Sequence, residues 1–169
     1  DAAGGYEHGL AVKEDGTVWA WGRNTEGQLG DGSLTQRNSP VLVTGLNNII
    51  NVGSGHYHSF AVKNDGTLWA WGYNNYGQLG NGNTFNNVAA KQITSLSGII
   101  DATGGESHSI GLRTNGEIWT WGNNNFGQLG IGTTDGNVHA MPVQVVGINA
   151  IAISAGQYHS LALAANGTV

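Results

Sequence analysis

Hydrophobic and polar positions alternate along this chain in short runs, and the runs return on a fixed schedule. His8, Leu10 and Val12 point one way while Gly9, Ala11 and Lys13 point the other. The pattern recurs as His58, Phe60 and Val62 against Ser59, Ala61 and Lys63, then as His159, Leu161 and Leu163 against Ser160, Ala162 and Ala164. A period of two marks strands. Asp15-Gly16, Asp65-Gly66, Asn115-Gly116 and Asn166-Gly167 come next. These pairs accept positive φ at both central positions of a type I′ turn, so each predicts a tight hairpin. The returning strand carries Trp19 and Trp21, Trp69 and Trp71, or Trp119 and Trp121, with Val18, Ala20 and Gly22 on the smaller opposite face. A sheet that is bulky on one side and small on the other nests against its own copy. That predicts Trp21, Trp71 and Trp121 in equivalent buried positions between sheets, each burying ~150–250 Å². Ile49, Ile50 and Val52, and later Ile151 and Ile153, give a further alternation before each histidine. The stretch from Pro40 to Leu46 supplies an outer strand, where an edge tolerates proline.

The four runs are copies of one unit. Gly4–Gly32 reads GGYEHGLAVKEDGTVWAWGRNTEGQLGDG, Gly53–Gly82 reads GSGHYHSFAVKNDGTLWAWGYNNYGQLGNG, and Gly104–Gly132 reads GGESHSIGLRTNGEIWTWGNNNFGQLGIG. A fourth copy begins near Ser154. His8, His58, His108 and His159 lie 50, 50 and 51 residues apart, which leaves no room for a linker or a second domain. The expected organisation is one repeat domain over 1–169, with repeats at approximately 1–48, 49–98 and 99–147 and a partial one at 148–169. Four short antiparallel strands per repeat, stacked radially, make an all-β propeller. The 29 glycines support short strands joined by turns, since each interior Gly costs a helix ~1 kcal/mol relative to Ala.

The combination of GxxH, a hydrophobic strand, a DG or NG turn, WxWG and NxxGQLGxG, at a period near fifty, resembles the regulator of chromosome condensation repeat. Kelch propellers share the period and a diglycine but not the GQLGxG run. The resemblance implies blades of a seven-bladed propeller. Family roles it implies include nucleotide exchange on the small GTPase Ran with chromatin binding and, in a bacterial relative, inhibition of β-lactamases. No motif here matches the loops on which exchange depends, and a basic tail that would favour chromatin is lacking. The chain carries about three and a third repeats. Asp1 aligns with Asp101, and Val169 aligns with Val18, Leu68 and Ile118, one residue short of the next Trp. The expectation is an incomplete arc, completed by further repeats or by self-association through open blade ends.

Chemistry-bearing residues are few. There is no Cys, no GxSxG elbow and no recurring carboxylate pair, so no catalytic set emerges and the chain is read as non-enzymatic. The runs Gly27–Gly30, Gly77–Gly80 and Gly127–Gly130 lack the Lys-Ser or Lys-Thr of a phosphate loop. They read as loops with Gly for φ, Leu as a plug and Gln as a hydrogen-bonder to backbone. His8, His58, His108 and His159 read as structural, with the imidazole bonded to backbone groups, and His56 with His58 is the least implausible metal pair. No metal and no cofactor is expected. Six Lys and Arg residues against a net charge of −5 provide no phosphate-binding cluster, which excludes nucleic acid as a partner. No apolar stretch approaches the ~20 residues of a membrane span, so no membrane insertion is expected. Asn166-Gly167-Thr168 is a glycosylation sequon by letters and a hairpin turn by position.

Binding potential lies where the copies differ. After the Trp-Gly corner they read Arg23, Tyr73 and Asn123, and three residues on Glu26, Tyr76 and Phe126. The longer segments 31–39, 81–89 and 131–140, with Phe85 in the second, share almost nothing. A constant scaffold with one variable set of loops is how repeat proteins build interaction surfaces. The function expected is therefore a protein-interaction scaffold with an unknown protein partner. The alternatives are a structural or surface-assembly repeat and a carbohydrate-binding propeller. Abundant Asn, Thr and Gly with three Lys lean towards a bacterial secreted or cell-surface protein, with a cytoplasmic one as the alternative.

Overall fold

The computed structural model describes residues 1–169 and contains strands, turns and bends but no helix. The first sheet orders β1 (Ala2–Gly4), β2 (His8–Val12), β3 (Val18–Gly22) and β4 (Arg37–Leu42) side by side, each antiparallel to the next. The second repeats this with β5 (Ile49–Ser54), β6 (His58–Lys63), β7 (Leu68–Gly72) and β8 (Asn87–Gln92). The third begins with β9 (Ile99–Gly104), β10 (His108–Arg113) and β11 (Glu117–Asn124). Its outer strand runs on without a break into the inner strand of a fourth unit, giving β12 (Asp135–Ala155), which β13 (Ser160–Ala164) then pairs. The connection explains the fusion. Val43 to Ile49 and Ile93 to Ile99 each span six steps, whereas Val145 to Ala150 spans five, so the two strands meet at a bend at Gly147, whose φ is 84°, with no residue left between them. Inner strands β1, β5, β9 and β12 pack in sequence order, which makes the sheets successive blades of a propeller arc.

Packing between blades differs from the simple bulky-face, small-face picture. Residues opposite each other in an antiparallel pair share a face, and the register sets Trp21 across from Gly9 and Trp19 across from Ala11. Each Trp therefore sits above small residues of its own blade, and Leu10, Val18 and Ala20 form the other face. Blade contacts then alternate: Leu10, Val18, Ala20 and Leu29 of the first blade enclose Val52, Ala61 and Trp71 of the second. Phe60, Leu68, Ala70 and Leu79 enclose Ala102 and Trp121 in the same way, with the Phe60 and Trp121 rings edge to face at 6.0 Å. Trp71 and Trp121 are fully buried. Trp21 is 37% exposed, contrary to the sequence expectation, because no blade here lies against its face. It folds over Gly9 instead, where a Cβ would meet the indole at 2.6 Å.

Candidate functional site

The parts that repeat form a latch between neighbouring blades. At each Gly-Gln-Leu-Gly corner, Gly27 and Gly30 take φ of 82° and 68° and Leu29 is buried. Asn24 locks the corner by accepting from Leu29 N at 3.0 Å and donating to the carbonyls of Ser33 and Thr35. Gln28 accepts from Glu26 N through its side chain, at 2.9 Å, and turns its own carbonyl toward the next blade. That carbonyl accepts from Ser59 Oγ at 2.8 Å and from Trp71 Nε1 at 2.9 Å. Ser59 has then spent its proton, so His8 Nε2 must donate to Ser59 Oγ across 2.9 Å. The next interface uses His58, Ser109, Trp121 and the Gln78 carbonyl identically, and the third uses His108, Ser160 and the Gln128 carbonyl.

The histidine partner is thus a serine hydroxyl, not the backbone. A serine holds the imidazole because it can accept from the ring and donate onward, which no single backbone group does. Nδ1 of His8, His58 and His108 is buried without a partner, consistent with a neutral ring. Burial pushes the imidazole pKa down to about 4, about 3 and about 4 respectively. His159 is exposed, since no further blade covers it. His56 stacks on Tyr6 at 5.4 Å while His58 turns inward to Ser109, so this pair does not converge on a metal. Ser59→Ala is expected to cost about 1–3 kcal/mol by stranding the buried His8 donor. An unchanged urea midpoint would show that the latch is idle.

The same latch sets out a rim. Folding the imidazole back beneath its own turn requires Gly5, whose Cβ would sit 2.2 Å from the ring. The two residues between the glycines and the histidine are left facing out. Backbone bonds then fix them: Arg23 N donates to Glu7 O, Tyr73 N to Tyr57 O and Asn123 N to Ser107 O, at 2.8–2.9 Å. Tyr6 N to His56 O, His56 N to Gly105 O and Glu106 N to Gln157 O stitch successive blades along the rim.

Over the second blade these side chains close around a cavity of about 240 Å³. Tyr57, Tyr73 and Tyr76 form its walls, with ring centroids 6.4 Å apart from Tyr57 to Tyr73 and again from Tyr73 to Tyr76. Arg23 and Glu26 enter from the first blade, Glu106 and Ser107 from the third. Arg23 pairs with Glu7 and lies over the Tyr57 ring, 5.0 Å from its centroid. Burial raises the Tyr73 phenol pKa, and the Glu26 and Glu106 charges add to the rise. Hydrogen bonds from Gln157 and Tyr158 keep the Glu106 carboxyl below its ordinary value.

Of the residues singled out from sequence, Arg23, Glu26, Tyr73 and Tyr76 come together here. Phe126 lies one blade on, paired with Tyr158 at 5.3 Å, and Asn123 is occupied with Asn125 N and the Gln128 amide. Phe85 stands 76% exposed on the outer loop, away from the cavity walls. Tyr57, Glu106 and Ser107 were missed. Their signal was present as the variable pair inside the constant Gly-Gly…His frame: Tyr6-Glu7, His56-Tyr57, Glu106-Ser107 and Gln157-Tyr158. A larger groove of about 660 Å³ runs along the inner strands, but Gly, Ala and Ser supply most of its lining and little chemistry for recognition.

Comparison with known proteins agrees with this geometry. A family model described as the RCC1-like domain matches residues 1–169. The ultraviolet-B receptor UVR8 of Arabidopsis thaliana is 49% identical over 43 residues, 25% of this chain and 10% of that protein. Human RCC2 is 38% identical over 47 residues, 28% of this chain and 9% of that protein. Prp20p from Saccharomyces cerevisiae superposes with a TM-score of 0.86 at 26% identity, over 98% of this chain and 43% of that one. The chain therefore spans under half of its solved neighbour and about a tenth of these curated relatives.

Proposed function

This chain belongs to the RCC1-like domain family, and from that premise we propose that it is a non-enzymatic protein-interaction module whose partner docks on the blade rim. One observation carries the reading: invariant latches place variable aromatic and charged side chains of three consecutive blades around a single cavity. Clustered Tyr with Arg is the composition of binding hot spots. Among the neighbours, yeast RCC1 (Prp20) has been crystallised with Kap60 bound, and Prp20p has binding properties toward Gsp1p and histones. Those partners are not carried over, but they support a protein as the type of partner.

A pull-down with purified wild type, a Tyr73→Ala/Tyr76→Ala variant and a Phe126→Ala variant tests the reading. Loss of two anchors should reduce specific recovery by about tenfold or more, and Phe126→Ala by much less. Full recovery with the tyrosine pair removed, the variant being folded, would move the site elsewhere. Recovery of untagged copies of the same chain would instead favour self-association through the end faces, where Trp21 and Leu161 are exposed.

A further inference from the structure

We propose that the rim cavity over the second blade is a receptor for a lysine side chain presented by a basic partner segment. This rests on the interaction reading above and names what that interaction recognises. The charges favour a cation. Arg23 is paired with Glu7 and also feels the Glu26 charge, while Glu26 and Glu106 take their hydrogen bonds from neutral donors: Asn86 Nδ2 at 2.9 Å for the first, Gln157 Nε2 at 2.6 Å and the Tyr158 hydroxyl for the second. Glu7, Glu26 and Glu106 against the single Arg23 leave a surplus of negative charge, and Glu26 and Glu106 both reach Tyr73 with their field.

The aromatic walls point the same way. The face of Tyr57 already carries a cation, the Arg23 guanidinium, and the Tyr73 and Tyr76 rings meet edge to face in the same cavity. Ring faces attract cations most strongly where water is excluded. Size limits the guest to a side chain, because about 240 Å³ falls below the ~300–1,000 Å³ that drug-sized ligands occupy. Lysine is favoured over arginine by the placement of the carboxylates. Glu26 and Glu106 enter from the first and third blades, and the three donors of one ammonium suit two separated acceptors better than a planar fork, which spends both of its N–H bonds on a single carboxylate. A compact ammonium on a flexible stem can lie between the two walls and bond one free oxygen of each.

The probe is a fluorescein-labelled peptide of alternating glycine and lysine, titrated by anisotropy at 150 mM salt, with the arginine analogue in parallel. Glu26→Gln/Glu106→Gln should weaken lysine-peptide binding by about tenfold or more, since it removes both charges facing the guest. The control, Asp15→Asn/Asp65→Asn, removes the same charge from the hairpin turns at the other end of the strands and should change binding less than about twofold. No binding by wild type overturns the proposal, as does equal loss in both variants, which would mean general attraction to an acidic protein. Tighter binding of the arginine peptide also overturns it. If the glutamine pair leaves binding intact while Tyr73→Ala/Tyr76→Ala still abolishes partner recovery, the interaction module stands and the lysine receptor falls.

Discussion

Replacing Trp71 by alanine is expected to cost the fold about 3–5 kcal/mol, as large-to-small changes of buried aromatics do. Trp71 is fully buried in the first core cluster, among Leu10, Val18 and Leu29 of the preceding blade and Val52 of its own. Its removal opens a cavity at a blade interface and takes one of two donors from the Gln28 carbonyl. Against a typical domain stability of about 5–15 kcal/mol, that is a large fraction. Trp21→Ala provides the internal contrast, because the same residue at the same repeat position is 37% exposed. Urea denaturation of both variants should separate them clearly. Equal midpoints for Trp71→Ala and wild type, or for the two variants, would contradict interblade packing as the main source of stability.

Acid should unfold this protein well before its carboxylates titrate. His8, His58 and His108 have native pKa values near 4, 3 and 4, against 6.5 for the free side chain, so protons bind the unfolded chain first. Stability is then complete above pH 6.5 and falls as pH drops from there towards 4, the unfolded state holding more protons throughout that window. Each group contributes a slope of about 1.4 kcal/mol per pH unit, so three together approach about 4 kcal/mol per unit. The structural cause is the latch: Nε2 is committed to serine and Nδ1 has no partner, so a second ring proton would be buried unpaired. Urea midpoints at pH 7, 6 and 5 should fall steeply, with a shallower dependence in a His58→Gln variant. A flat profile over that range would overturn the assignment.

Repeat length, strand number and blade type could be read from the sequence because they depend on local periods: two for strands, about fifty for blades. Which faces meet could not. Alternation shows that Trp19 and Trp21 share a side, but only the register, Gly9 against Trp21, shows that the side also holds small residues. The fused β12 was hidden for a similar reason, since a connection one residue shorter leaves no motif of its own. The histidine bond to serine was obscured because its partner is 51 residues away, although Ser59, Ser109 and Ser160 each follow a landmark histidine. Half of the cavity was legible through the variation after each Trp-Gly corner. Tyr57 and Glu106 were not, because their neighbours Gly and His looked wholly structural.

The backbone bonds from Arg23 to Glu7, Tyr73 to Tyr57 and Asn123 to Ser107 involve no side chain. At each rim address the bond itself is made by main chain, so the letter written there is free. The three blades already spell a charged pair, an aromatic pair and a small polar pair at one coordinate. A protein built this way can acquire a new ligand by point substitution without renegotiating its fold. Grafting the Tyr57 and Tyr73 pair onto Ser107 and Asn123 would, in effect, copy a word from one line of a grid to the next.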